Sequence, residues 1–469
     1  MVDVAYTFSG RDFTTEFNRL LALLKVELPE YTDWNHSDAG IVILRLIARE
    51  TDQLNDYIDR VFAEGFLATA QFKQSLVDLG RLVGYLPTLS SPASTRLQFT
   101  RIEGVTGAIS IPKYTSVLRS DGLSYLTIEA VTIQSDEDTV EVGAIQGETN
   151  TLTITENDFD VTDWTSRPRY NLGAGVVSGY VQIAHGSPAT VWTEVDSFWR
   201  SWMDDFHYLL ELNGDTDETW LVCGDGVQGA QIPEGAITIE YVTTAGASGN
   251  TGAYTVTTVP EALAESVTCT NIEIATGGAA PETIASLRQQ IPAVTRTQRR
   301  GLTKADYEAL IGHIPGVLHV SALDRNNSSI WPHDHIVVYV VPEGGGPMST
   351  LLQSQILSEC AEWGHLGAWE ERYILLDAIE DSLNITCRIG VAQGYTTEGV
   401  RSAVIAALNE FLAAEQRTIG GSVTITELRT VVSAVPGVSW EEFSTPVVTV
   451  TSQPGHIITP GVISVSVSQ

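Results

Sequence analysis

Positive charge is scarce in this sequence. Across 469 residues, 26 lysines and arginines stand against 58 aspartates and glutamates, a formal charge of −32. A chain so acidic repels nucleic acid and anionic membrane surfaces, which excludes DNA binding. The charge favours solubility at high local concentration, but it is spread thinly and forms no acidic tail. Cysteine is also rare. Cys223, Cys269, Cys360 and Cys387 lie far apart and form no CxxC or other metal spacing. They read as small buried hydrophobes of a protein folded in a reducing cytoplasm. The start, MVDVAYTFSGRDF, has no basic region followed by an apolar run, so no secretory signal is expected. The most apolar window, residues 39–48, is broken by Arg45 and is too short to span a bilayer. The expectation is a soluble chain made in the cytoplasm.

Catalytic patterns are missing as well. No GxSxG occurs, and GASGN at residues 246–250 lacks the spacing and the strand-to-helix setting of a nucleophile elbow. The glycine-rich GGGP at residues 344–347 is not followed by Lys-Ser or Lys-Thr, which argues against a phosphate cradle. His333 and His335 flank Asp334 and share one strand face. They suggest zinc, but no third ligand accompanies them at a characteristic spacing. His365 reads as a helix-end residue, and the adjacent pairs Glu370–Glu371 and Glu441–Glu442 as solvated surface. No catalytic residue, cofactor or metal is expected.

What the chain does have is pattern, and 469 residues are enough for two to four domains with a sizeable interior. Residues 1–90 read as helical. Phe13, Phe17, Leu20, Leu21 and Leu24 form one amphipathic stretch that Pro29 ends, and Asn35 or Ser37 is placed to cap the next helix, with Asp38 favourable near its start. In that helix Leu44, Ile47, Thr51, Leu54, Ile58 and Val61 recur at steps of three and four. This is the seam of a helix that packs along its length on another. Two readings fit: an assembly device, or a helix facing its own core. A third helix is expected near residues 72–83, stopped by Gly84 and Pro87.

Residues 91–275 change to short alternating runs rich in Val, Thr, Ile and Tyr. Examples are residues 96–101, 125–130, 151–155, 177–183 and 237–241, as in an antiparallel β-domain. Trp192, Phe198, Trp199, Trp202 and Phe206 cluster in one segment and read as a core plug or packed cover. The run GDGVQG followed by IPEG, carrying Gly224, Asp225, Gly226, Gly229, Pro233 and Gly235, is turn chemistry flanking a strand, as are Gly249 and Asn250. An ion at Asp225 is the other reading, and turn formation explains the run more simply.

From residue 276 helices and strands alternate, giving two α+β modules, 276–380 and 381–469. Helices are expected at 283–290, 303–313, 349–363, 397–414 and 426–434, and strands at 335–341, 373–379 and 383–392. Residues 302–317, LTKADYEALIGHIPGV, align without gaps on residues 423–438, VTITELRTVVSAVPGV. In each copy a Thr can cap a helix, an acidic residue three later completes a capping box, and Pro-Gly ends the helix before a strand. The fold class is therefore multidomain α+β: a helical start, a β-rich middle and tandem split-βαβ-like modules.

Three runs in order resemble a known family. The first is AGIVILRLIARETDQLNDYIDRVFAEGFLATAQFKQSLVDLGRLVGYLP, the second CGDGVQGAQIPEGAITIEYVTTAGASGNTG, and the third ATGGAAPETIASLRQQIPAVTRTQRRGLTKADYEALIGHIPGV. They resemble the baseplate J-like proteins, baseplate wedge components of contractile-tailed bacteriophages and related contractile injection systems. Two positions depart from the pattern: Cys223 where an aromatic is usual, and Ala279–Ala280 where an acidic residue often follows the glycines. The resemblance implies a structural virion protein of the tail baseplate. In it, two copies would pair through their N-terminal helices and join a helix of a longer wedge protein. The C-terminal modules would link neighbouring wedges into a ring around the central hub and spike, under the sheath initiator. The seam from Leu44 to Val61 is the candidate joint, and Asp306, Tyr307, Pro315, Gly316, Pro436 and Gly437 mark the candidate ring modules. Rival readings are a tail adhesin using Trp164 or Trp192, and a tail-associated cell-wall hydrolase.

Overall fold

Asp12 accepts a hydrogen bond from the Thr15 N–H (2.8 Å) and so starts the first helix, α1, Phe13–Glu27. The second, α2, runs Ala39–Glu64 from an Asp38 cap, and the third, α3, spans Lys73–Leu82 before Gly84 takes a positive φ. A fourth, α4, covers Ile284–Thr297 and continues through Pro292, past the expected end at residue 290. The computed structural model describes residues 10–161, 167–324, 336–362 and 373–468. His333–His335, Trp164, His365 and Glu370–Glu371 lie outside these.

The chain divides into two units. One takes the residues up to Leu86 together with Asn213–Thr216 and Thr283–Gln289. Its buried apolar side chains among the described residues are few: Ile41, Ala48, Ala70, Leu76, Val77, Tyr85 and Leu287.

The other unit begins with antiparallel sheets. The strands Val256–Thr258, Ser116–Arg119, Ser124–Thr127, Thr139–Gln146, Ser94–Arg101 and Val267–Asn271 lie side by side in that order. They enclose a core of Leu97, Phe99, Tyr125, Ile133 and Val142. Two further sheets, centred on Val176–His185 with Ile237–Thr243 and on His207–Leu212 with Glu218–Cys223, share a second core. Ile183, Tyr208, Leu221, Cys223 and Ile239 fill it. Each β run expected from the alternation overlaps a strand, although the run at 125–130 leaves its strand after Thr127 and the run at 151–155 after Ile154.

After α4 come α5, Lys304–Ile311, and the strands Val317–Leu323 and Ile336–Pro342. Then follow α6, Thr350–Glu362, and the strands Tyr373–Asp377 and Ile379–Val391. Next are α7, Thr397–Leu412, α8, Ile425–Ser433, and the strands Val438–Thr445 and His456–Ser468. The repeat is visible in the pairing. Val317–Leu323 lies antiparallel to Ile336–Pro342, which is parallel to Tyr373–Asp377. Likewise Val438–Thr445 lies antiparallel to Ile379–Val391, which is parallel to His456–Ser468. Each sheet thus has a central strand with one antiparallel and one parallel neighbour. The chain enters the central strand after the repeated helix in the first module and before it in the second. Only Ala378 separates the edge strand of one sheet from the central strand of the next.

Candidate assembly surface

The start of α2 is set from upstream. Asp38 Oδ1 accepts from the Gly40 and Ile41 N–H groups (2.8 and 3.4 Å) and from the Tyr31 hydroxyl. The residue that caps α2 is therefore Asp38, not Asn35 or Ser37. The tyrosine hydrogen bond holds the Asp38 carboxyl below its usual range, and the same bond pushes the Tyr31 hydroxyl up to about 12. At the far end, burial of Glu64 works against its charge. The Gln71 and Phe72 N–H groups (2.9 and 3.2 Å), the Ser75 hydroxyl and nearby Arg288 prevail and lower its pKa. The Arg288 guanidinium, carried by α4, donates to the Ala70 carbonyl.

Between these fixed ends, the face of α2 turned inward carries Ile41, Ala48, Asn55 and Asp59. Three of these four are small or polar. On α1 the side chain buried with them is Glu16, which pairs with Arg19 (2.8 Å) and Arg11 (3.6 Å), and Asn55 Nδ2 donates to the Arg11 carbonyl (3.4 Å). The large apolar residues point outward. Leu54 is 60 % exposed and Val61 74 %, and Ile43, Leu46, Ile47, Tyr57 and Ile58 are exposed too. Of the six seam positions, Leu44 and Thr51 are half-buried, and the Thr51 hydroxyl bonds back to the Ile47 carbonyl (2.9 Å). The seam was found by its spacing. Ile43, Leu46 and Tyr57, which widen the stripe, were missed, because adjacent apolar residues carry overlapping three-four patterns. Single exposed apolar residues are ordinary, whereas a contiguous run of them is not.

The GDGVQG run is a closed turn. Asp225 Oδ1 accepts from the Val227 and Gln228 N–H groups (2.9 and 2.8 Å), while Oδ2 faces the Arg167 guanidinium (3.5 Å). Gly224 and Gly229 touch: a Cβ on Gly224 would lie 2.4 Å from the Gly229 carbonyl carbon. Gly226 and Gly235 have positive φ, Pro233 lies between them in the loop, and the Gly235 N–H donates to Glu156 (3.0 Å). The Gly249 carbonyl accepts from the buried Tyr125 hydroxyl (2.5 Å). Asn250 exchanges two hydrogen bonds with Gly278, both 2.9 Å.

Aromatic residues nearby divide. Trp192 and Phe198 are buried, and Trp192 Nε1 donates to His185 Nδ1 (2.8 Å). Trp199 and Trp202 do not belong to a core plug: they are exposed, Trp202 at 78 %. The short turn Phe198–Arg200 places its first aromatic inward and its second outward.

In the repeated helices both capping boxes close. The Thr303 hydroxyl accepts from the Asp306 N–H (3.3 Å) and the Asp306 carboxylate from the Thr303 N–H (2.9 Å). Thr424 and Glu427 do the same at 3.2 and 2.8 Å. Gly316 and Gly437 take positive φ after Pro315 and Pro436. Tyr307 is fully buried in its own module, whereas Pro436 is exposed.

Comparison with known proteins places these features. Residues 12–82 match the bacteriophage baseplate protein N-terminal domain, and residues 383–466 the Baseplate J-like protein C-terminal domain. Baseplate wedge protein gp6 of Enterobacteria phage T4 is 23 % identical over 367 residues, covering 70 % of this chain and 53 % of the relative. The chain thus spans about half the length of that curated relative. Among solved structures, a chain of the anti-feeding prophage baseplate, 6-fold symmetrised, aligns with a TM-score of 0.36 and 14 % identity, over 94 % of this chain and 90 % of that one. A chain of the type VI secretion system TssK-TssF-TssG baseplate subcomplex gives 0.30 and 10 %, over 71 % and 95 %. The chain is thus similar to baseplate proteins near either end, through two separate family domains, and over most of its length to a baseplate wedge protein.

Proposed function

We infer that this chain is a structural subunit of the baseplate wedge of a contractile tail, working by assembly and not by catalysis. The observation that carries this reading is the apolar stripe of α2. Ile47, Leu54, Ile58 and Val61 face outward while Ala48, Asn55 and Asp59 face in. Burying one large apolar side chain is worth about 1.5 to 3 kcal/mol, so other helices laid on this stripe would gain stability from each position. In the wedge those helices come from a second copy of the chain and from a longer helical wedge protein. The carboxy-terminal modules then link neighbouring wedges into a ring around the hub, beneath the sheath initiator. Signals from host contact pass through the joint as a change between two helix packings. The half-length similarity to a protein named as a baseplate wedge component supports the assignment.

A receptor-binding role has one observation in its favour, the exposure of Trp199 and Trp202. Electron microscopy of particles made with the gene switched off separates the readings. Free heads, or tails without baseplate and sheath, are expected of a wedge subunit. Complete particles that fail to attach would favour the adhesin, and complete particles that attach but fail to penetrate would favour a hydrolase.

A further inference from the structure

The last sheet of the chain has an open edge. Its strand His456–Ser468 pairs with Ile379–Val391 on one side and has no strand on the other among the described residues. The first part of this strand is backed by other segments. The Gly420 N–H donates to the His456 carbonyl (2.7 Å), and Thr459 and Pro460 line a cavity of about 450 Å³ with Gly345 and Glu415. The second part, Ile463 to Ser468, runs alongside Ile385 to Gly390 with an alternating sequence. Ile463, Val465 and Val467 turn toward the core shared with α7 and α8. Val462, 73 % exposed, and the exposed Ser464 and Ser466 alternate with them.

Open edges are ordinarily guarded by charged side chains, which discourage pairing with another chain. Here the guard is missing. Residues 443–469 contain no Asp, Glu, Lys or Arg, although the chain carries a formal charge of −32. A neutral edge is where two strongly acidic copies can meet without opposing like charges, whereas an oppositely charged partner would gain nothing from it. The alternation is also self-complementary. An antiparallel copy of the same strand sets Ile463, Val465 and Val467 of both chains on one face, so that the two cores run into a single apolar layer.

We propose that residues 462–468 pair antiparallel, about a two-fold axis, with the same segment of a second copy, joining two carboxy-terminal sheets into one. This rests on the reading that the carboxy-terminal modules join copies of the chain. It does not depend on the α2 stripe.

The test uses the full-length chain carrying Leu54→Asp, which disables association through α2. All four native cysteines are buried, so one added surface cysteine reports cleanly. Val462→Cys, Ser464→Cys and Ser466→Cys are oxidised mildly, singly and as mixed pairs, with Ser120→Cys as an exposed control. Edge pairing predicts that one variant or mixed pair forms disulfide-linked dimers at least tenfold faster than the control. It also predicts that Ser464→Lys with Ser466→Lys converts dimer to monomer in sedimentation without lowering the unfolding temperature. Cross-linking no faster than the control in every combination would overturn the proposal. So would dimers that survive both lysines. If cross-linking fails in this background while the chain without Leu54→Asp still associates, the edge fails and the wedge reading stands.

Discussion

Gly277 and Gly316 meet backbone to backbone: a Cβ on Gly316 would lie 2.9 Å from the Gly277 carbonyl oxygen and 3.1 Å from its Cα. Glu343 clamps the pair, its N–H donating to the Gly316 carbonyl and its carbonyl accepting from the Gly277 N–H, both at 2.9 Å. This explains why a Gly-Gly and a Pro-Gly nearly forty residues apart recur in one motif series. Each supplies one side of a contact that admits no side chain.

Gly316→Ala should therefore destabilise the chain twice over. A positive φ alone costs an L-residue about 1 to 2 kcal/mol, and the contact with Gly277 adds to it. Gly394 is the control, with a nearly equal φ of +93° and nothing within 4 Å of a Cβ. Denaturant unfolding of the two alanine variants should show the larger loss at Gly316. Equal losses would mean that the close approach adds nothing.

The capping boxes give a second prediction. Thr303→Ala and Thr424→Ala should each cost about 1 kcal/mol, and the two losses should add, since the sites share no partner. The Glu427 box also depends on pH. Hydrogen bonds from the Thr424 N–H and hydroxyl hold the Glu427 carboxyl below its ordinary value. A depressed folded pKa stabilises above the unfolded carboxylate pKa, and that contribution is lost as pH falls through the folded value. The stability gap between wild type and Glu427→Gln should accordingly be present at neutral pH and shrink as the pH drops below the ordinary glutamate range. A gap unchanged by acid would contradict the box's electrostatic part.

The cysteines should be silent in the folded protein. Burial pushes the Cys269 and Cys360 thiols up to about 12 and Cys387 to about 11, and raises Cys223 too. Because the thiolate is the reacting form, a colorimetric thiol reagent at pH 8 should label none rapidly in the native chain. All four should react in denaturant. A fast-reacting native thiol would show that one of the β or α+β cores opens readily.

These results also mark where the sequence could be read and where it could not. The capping boxes and the GDGVQG turn were legible because their partners lie within a few residues. Thr303 finds Asp306, and Asp225 finds Val227 and Gln228. Partners further away were not legible: the Tyr31 hydroxyl also donates to the Asp38 cap, and Arg167 answers Asp225 from far upstream. The stripe on α2 was visible as spacing, yet its inner face was hidden. Hydropathy does not mark Asn55 or Asp59 as buried, and the partner of Asn55 is the Arg11 carbonyl, just ahead of α1 and far away in sequence. The Trp199 and Trp202 side chains were misplaced for a similar reason. Composition gives a cluster of aromatics, but only the backbone of a short turn decides which of them face inward.

The central claim is that the outward face of α2 is a joint, and co-purification tests it most directly. Wild-type chain, Leu54→Asp and Ile58→Asp would each be co-expressed with the proposed longer wedge partner, and the complexes isolated through a tag on that partner. Both positions are exposed, so the variants should keep the wild-type circular dichroism and unfolding temperature. A charge placed in a desolvated helix seam costs several kcal/mol, enough to abolish capture. Loss of capture with the fold intact is the predicted result. Capture at the wild-type level by both folded variants would show that the wedge joint lies elsewhere.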